Sequence, residues 1–140
     1  MRLAYFVLGS VLLVSTVGSA AVAQNAAVAA AVQPGRHLGQ LLSKALVLRG
    51  TLGTQKIQVN LQPKPDEDGL QGTYFAFGQT QKILLAGEVQ DDDLVMEESR
   101  NGQDVSGQWE GSLQGSVISG TWTAPDGSDS KPFVLQLPSP

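Results

Sequence analysis

The chain has 140 residues, with 13 acidic and nine basic side chains, a formal net charge of −4 and no cysteine. Without cysteine the chain cannot form a disulfide or a thiolate metal site, so packing alone must hold it together. The acidic balance argues against nucleic acid as a partner, because such binding draws on counterion release by basic side chains.

The N-terminal stretch predicts a secretory signal peptide over residues 1–23. Arg2 precedes an apolar run, Leu3–Val17, and small residues close the stretch at Ala21-Val22-Ala23, the usual layout of a cleavable signal. The alternative is an uncleaved anchor, since Leu3–Ala23 is long enough to span a bilayer. We expect cleavage, no stable membrane span in the mature chain, and a periplasmic or secreted protein of a bacterial cell envelope.

The residues that follow the signal predict a flexible leader and a short helix. Gln24–Gln33 consists mainly of Ala and Val and ends at Pro34-Gly35, which indicates that residues 24–37 form a leader without structure of its own. Leu38, Leu41 and Leu42 are spaced as on one helical face and predict a helical turn that caps the domain. The domain itself should cover residues 38–140.

Beyond the helix the apolar residues alternate with period two, which predicts eight strands. The predicted strands are Leu46–Leu52, Lys56–Leu61, Leu70–Phe77, Gln81–Val89, Leu94–Glu98, Asp104–Gly111, Ser116–Thr123 and Pro132–Leu137. The segments between them are rich in Gly, Asp, Asn and Pro and are too short for a crossover helix, so neighbours should pair antiparallel. We therefore expect an all-β fold, a single eight-stranded up-and-down meander barrel, with a two-sheet sandwich as the alternative.

Two turns predict the register of their strand pairs. We take Gly78-Gln79 and Asn101-Gly102 as two-residue hairpin turns. The opposed pairs are then Tyr74 with Ile83, Gly72 with Leu85, Met96 with Gly107, Leu94 with Trp109, and Glu98 with Val105. The first four pairs join residues of the apolar face with each other, as the register of a half-buried sheet requires.

Five pentads place glycine midway between two apolar residues of the same strand. They are LRGTL, LQGTY, LAGEV, VSGQW and ISGTW, with glycine at positions 50, 72, 87, 107 and 120. In each pentad the glycine has the inward parity. Inward glycines relieve crowding where a sheet curls on itself, so the pentads favour a closed barrel.

The pentads LQGTY and SGTW resemble pieces of the avidin and calycin-type meander barrels, and the glycine–aromatic rhythm is similar to that of exported bacterial β-domains. The resemblance covers only the pentads. A lipocalin has its G-x-W near the first strand, whereas Trp109 and Trp122 fall in the sixth and seventh predicted strands. No functional residue is therefore carried over from these families.

The inward aromatic residues have two interpretations. Tyr74, Trp109, Trp122 and Phe133 should face the interior, where bulky rings normally fill a small core. If the interior is hollow, Tyr74, Trp109 and Trp122 would instead line a site for a small apolar ligand, with Glu98 as a polar group at the mouth. For Glu98 we favour a solvated residue at the rim of the barrel.

The outer wall carries a second candidate site. Phe75 and Phe77 have outward parity and lie beside Leu84 in the neighbouring predicted strand. Such an apolar patch is either covered by the N-terminal helix or is a protein-contact site. We favour the helix cover.

Residues for catalysis are sparse. The single histidine, His37, lies outside the strand region, and the acidic clusters fall in turns, where carboxylates are ordinary turn residues. We expect no catalytic residue, metal site or cofactor. The sequence thus favours a non-enzymatic envelope protein that acts as an interaction, inhibitor or assembly module, with an envelope protein as partner. A carrier of a small apolar ligand is the alternative, and an enzyme is the third possibility.

Overall fold

The computed structural model describes residues 37–139. The predicted signal peptide and all of the predicted leader except His37 lie outside the described residues. Every predicted strand lies inside them.

The described chain folds into one short helix and a closed eight-stranded barrel, as the sequence predicts. The elements are α1 (Leu38–Leu41), β1 (Leu46–Leu52), β2 (Gln55–Pro63), β3 (Leu70–Ala76), β4 (Ile83–Gln90), β5 (Asp93–Ser99), β6 (Gly107–Gln114), β7 (Val117–Thr123) and β8 (Ser130–Gln136). Each strand pairs antiparallel with the next, and β8 closes the barrel on β1. Because the sheet is closed, its strands leave no unpaired edge.

The β3–β4 register is confirmed. Tyr74 pairs with Ile83, and Gly72 pairs with Leu85. The inward faces of these strands are buried, as the alternation predicts.

The predicted β5–β6 register is wrong by two residues. Met96 pairs with Trp109, and Glu98 pairs with Gly107 rather than with Val105. The connection is longer than a two-residue turn because Asn101 Oδ1 accepts hydrogen bonds from the main-chain N–H groups of Gln103 at 2.9 Å and Asp104 at 2.8 Å. These bonds build a loop where a tight hairpin was expected.

The helix α1 seals one end of the barrel, where the β4–β5 turn also lies. The Leu38 N–H donates to Asp92 Oδ1 at 3.0 Å, and the Gly39 N–H donates to the Asp91 carbonyl at 3.3 Å. Leu38 and Leu42 are buried and join the barrel core. The predicted capping role is therefore confirmed. The described residues contain no helix long and apolar enough to cross a membrane.

The inward glycines mark places where neighbouring main chains come too close for a side chain. A β-carbon at Gly50 would overlap the Val134 carbonyl, one at Gly72 the Asn60 carbonyl, and one at Gly120 the Glu110 carbonyl. A small barrel bends its strands sharply, and glycine permits that bend. The glycine-bearing face is therefore the concave lining of the barrel.

Replacing Gly120 by alanine tests this packing. We expect Gly120→Ala to lower the free energy of unfolding by about 3 kcal/mol, because the new methyl group meets main chain that cannot move aside. Urea unfolding of the variant measures the change. Ser119→Ala, one residue away on the outer face, is the control and should stay within about 0.5 kcal/mol. Equal stability of the two variants would contradict the close approach.

Candidate functional site

A buried carboxylate organises the end of the barrel opposite α1. Glu98, near the end of β5, is only 1 % exposed, so the expectation of a solvated residue at the rim is wrong: donors from neighbouring elements take the place of water. Its Oε2 accepts hydrogen bonds from the Tyr74 hydroxyl at 2.7 Å and from Trp109 Nε1 at 3.0 Å. Its Oε1 accepts a hydrogen bond from the Ser106 hydroxyl at 3.1 Å. Three strands and a loop thus converge on one side chain.

The partners of Glu98 suit an acceptor. The Trp109 indole N–H can only donate, and the hydroxyls of Tyr74 and Ser106 also donate here. Each hydrogen bond to the carboxylate oxygens therefore pairs a donor with an acceptor. The Ser106 main-chain N–H also donates to the Glu98 carbonyl at 2.7 Å. The network therefore holds the start of β6 against the end of β5, where the register differs from the sequence prediction.

Tyr74 is held in its neutral form by this environment. Burial raises the pKa of its hydroxyl far above the ordinary value, and the hydrogen bond and charge of Glu98 add to the rise. The physical reason is that a phenolate would be both desolvated and placed beside a carboxylate. A buried hydroxyl of this kind is a donor to Glu98 rather than a base.

The aromatic rings fill the space around this network. The Trp109 ring centroid lies 5.1 Å from that of Tyr74 and 5.0 Å from that of Phe133. Trp109 and Phe133 are among the largest fully buried side chains. The edge and tilted geometries are those that aromatic pairs prefer. Packing thus accounts for the inward position of these rings.

Trp122 differs from the other inward aromatic residues. Its Nε1 is buried and has no hydrogen-bond partner among the described residues, and a β-carbon at Gly107 would overlap that atom. The Lys131 Nζ lies 4.9 Å from the centroid of the indole ring. The structure therefore brings the predicted ligand-binding residues Tyr74, Trp109 and Glu98 into one network and leaves Trp122 outside it. Ligand binding by the four residues stays a prediction.

The outer wall of β1–β5 carries a concave site of about 720 Å³, which we call the outer-wall groove. Two registered rows of outward side chains line it. The rows are Val47–Asn60–Thr73–Leu84–Ser99 and Gln62–Gln71–Ala86–Glu97. Ala45 before β1, Lys64 after β2 and the loop residues Gly102, Gln103 and Val105 also line the groove. Six of these side chains are uncharged and polar. They can donate and accept hydrogen bonds along the length of the groove.

The floor of the groove is formed by the row of inward residues between these two rows. Leu46, Leu61, Gly72, Leu85 and Glu98 belong to it. Since their side chains point into the barrel, their main chain faces the groove. The groove is therefore a feature of the wall, and its floor includes the main chain of Glu98, whose carboxylate is buried beneath it.

The predicted outer patch is exposed. Phe77 is 54 % exposed and Leu84 is 47 % exposed, and the rings of Phe75 and Phe77 meet edge to face at 5.5 Å. The expectation that the helix covers this patch is wrong. Leu38 and Leu42 of the helix segment pack into the open end of the barrel, where they are more completely buried than they would be against the outer wall. The protein-contact role of Phe75, Phe77 and Leu84 stays a prediction.

The sequence does not predict the groove. Of the predicted site residues, Leu84 and Glu98 line it. Alternation identifies which side chains face outward, but the hollow depends on how five strands curve together. It also depends on the β5–β6 loop, where Gly102 packs beside Leu84.

His37 lies at the start of α1, far along the chain from the Glu98 network. Its Nδ1 is 3.5 Å from Asp92 Oδ2. Across residues 37–139 no three His, Cys, Asp or Glu side chains are grouped so as to hold a metal ion. His37 and Asp92 therefore connect α1 to the β4–β5 turn.

Comparison with protein-family models, curated proteins and solved structures finds no match to this chain.

Removing the buried carboxylate tests the Glu98 network. We expect Glu98→Ala to lower the free energy of unfolding by about 3–5 kcal/mol, because it leaves the Trp109 N–H and the Tyr74 hydroxyl buried without an acceptor and opens a cavity. Glu98→Gln keeps one acceptor oxygen and should cost about 1 kcal/mol or less. Urea unfolding measures both, with the exposed neighbour variant Glu97→Ala as control. A Glu98→Ala variant as stable as Glu97→Ala would refute the network.

The raised pKa of Tyr74 predicts an alkaline loss of stability. The folded state favours the neutral hydroxyl, so this contribution is complete below the ordinary tyrosine pKa of about 10 and falls above it by about 1.4 kcal/mol per pH unit. Urea unfolding across this range measures the slope, and Tyr74→Phe should lack it. In a Tyr5→Phe background Tyr74 is the only tyrosine, and its tyrosinate absorbance should appear only with unfolding. Ionisation of the folded protein near pH 10 would contradict the burial.

Proposed function

We propose that this protein is a non-enzymatic interaction module that acts through the outer wall of β1–β5. The observation that carries the proposal is the contrast between interior and wall. The interior is packed by Trp109, Phe133 and the Glu98 network, whereas the wall holds a groove of about 720 Å³ with exposed apolar residues beside it. Exposed apolar surface next to a concave site is typical of a contact surface.

The composition of the groove supports binding over catalysis. Asn60, Gln71 and Thr73 are half-buried in it. Asn60 Oδ1 accepts a hydrogen bond from Gln58 Nε2 at 3.3 Å, whereas the side chains of Gln71 and Thr73 make none to a described residue. Gln71 and Thr73 are therefore free to bond to a partner that fills the groove. The titratable side chains of the Glu98 network are buried under the wall. The proposed surface therefore acts by binding a partner and not by catalysis.

The proposed place of action is outside the cytoplasm of a bacterium, in the periplasm or secreted. The support is Arg2, the apolar run Leu3–Val17 and the Ala21-Val22-Ala23 ending, which together favour export with cleavage. The absence of cysteine agrees with a domain that depends on packing for its stability. The partner would then be a component of the cell envelope.

Site-specific photo-crosslinking in the cells that make the protein tests the proposal. We expect a photoreactive residue at Phe77 or Leu84 to give discrete adducts, because these side chains border the contact surface. The same residue at Glu110 or Thr121, which are exposed on the β6–β7 wall, should give none. Mass spectrometry identifies the adducts and reads the mature N terminus, which we expect at Gln24.

Adducts from both walls at equal yield, or no adduct from either wall, would overturn the proposed contact surface. A mature chain that begins at Met1 would overturn the proposed export with cleavage.

A further inference from the structure

The outer wall of β1–β5 has two regions of different character along β3. At the end of β3, beside Tyr74 of the Glu98 network, Phe77 is exposed and Phe75 is half-buried next to it. Arg49, Lys56 and Lys82 surround them and are exposed. We call this region the aromatic end. None of its three cations forms an ion pair with another described residue.

Four residues toward the start of β3 from Phe75, the same wall is hollow and acidic. The registered row Gln62–Gln71–Ala86–Glu97 lines the outer-wall groove there. Glu88 is exposed on β4 beyond Ala86. Within residues 37–139 neither Glu88 nor Glu97 has a basic partner, whereas Lys64, which also lines the groove, is paired with Glu67 at 3.4 Å.

We propose that a second copy of this chain occupies the outer-wall groove, so that the aromatic end of each copy rests on the groove of the other. This inference rests on the proposed function and names its partner. A two-fold axis that lies in the interface, perpendicular to the strands, makes β3 of the second copy antiparallel to β3 of the first. The aromatic end of each copy, which protrudes and is basic, then faces the groove of the other copy, which is hollow and acidic. Each contact then occurs twice, as in any isologous dimer.

Charge complementarity favours a second copy over a partner of one charge. An acidic partner would satisfy Arg49, Lys56 and Lys82 but would leave Glu97 opposed by a like charge, which works against association. A basic partner would do the reverse. A second copy supplies both signs in the required places, since Lys82 of one copy lies over the Glu97 region of the other.

Barrel closure restricts how copies can associate. Because β8 pairs with β1, the barrel has no free strand to add to a second sheet. Association must therefore use side chains on a wall, and the β1–β5 wall combines exposed Phe77 with a groove. Exposed aromatic side chains that enter a pocket of the partner usually dominate the affinity of such interfaces.

Sedimentation equilibrium of the purified protein over a range of concentrations tests the dimer. We expect a monomer–dimer equilibrium. Phe77→Ser should raise the dimer dissociation constant by about thirtyfold or more, because it removes the anchor from both halves of the interface. Lys82→Glu or Glu97→Lys alone should raise it by about tenfold.

A charge exchange provides the sharpest test. Lys82→Glu together with Glu97→Lys reverses both signs and should restore much of the affinity lost in either single variant. Glu110→Lys makes the same change of charge on the opposite wall and should leave the dissociation constant unchanged. The four substituted positions, Phe77, Lys82, Glu97 and Glu110, are exposed. The variants should therefore fold, and circular dichroism checks this.

A protein that stays monomeric up to about 100 µM overturns the second copy as occupant. A dimer insensitive to Phe77, Lys82 and Glu97 overturns it as well. The photo-crosslinking then separates the two proposals. Adducts of another mass from Phe77 refute the dimer and retain the contact surface, adducts of twice the chain mass support both, and a monomer without adducts refutes both.

Discussion

A small closed barrel requires neighbouring strands to bend until their main chains nearly touch. In this protein the approach occurs at Gly50, Gly72 and Gly120, where a carbonyl oxygen of the next strand takes the place of a side chain. Closure of β8 on β1 and burial of the apolar faces both depend on these contacts. The floor of the outer-wall groove also passes over Gly72, so the bend that closes the barrel helps to shape its outer surface. The close approach of neighbouring main chains at the inward glycines thus shapes both the core and the outer surface.

Much of this fold could be predicted because period-two alternation still assigns side chains to the correct face when the register of a strand pair is wrong by two residues. The β5–β6 register was wrong by two residues, yet Met96, Glu98 and Trp109 face the interior as expected. A shift of two residues keeps every side chain on its own face, whereas a shift of one would invert the strand. The length of the loop itself was not predictable from the turn signal Asn101-Gly102, because the side-chain hydrogen bonds of Asn101 stabilise a longer connection.

The candidate sites were less predictable than the fold. Parity placed Glu98 inside the barrel, but its bonds to Tyr74 and Trp109 join residues from three strands. Such contacts depend on side-chain reach across the interior, which alternation does not specify. Likewise, alternation gives Thr73 and Gln71 outward parity, but no local pattern shows that their face is hollow. The expectation that the helix also covers the outer patch is wrong for a similar reason, since apolar leucines pack where the most apolar surface can be buried, and the open barrel end offers more than the wall.

The described chain enters and leaves the barrel at the same end. His37 precedes α1 beside the β4–β5 turn, and the Leu137 N–H, just after β8, donates to the Ser116 carbonyl in the neighbouring turn. Any tether attached through either terminus would therefore reach the barrel at the end that α1 closes. The end around Glu98 is the end farther from both points of attachment, and the outer wall of β1–β5 lies between the two ends.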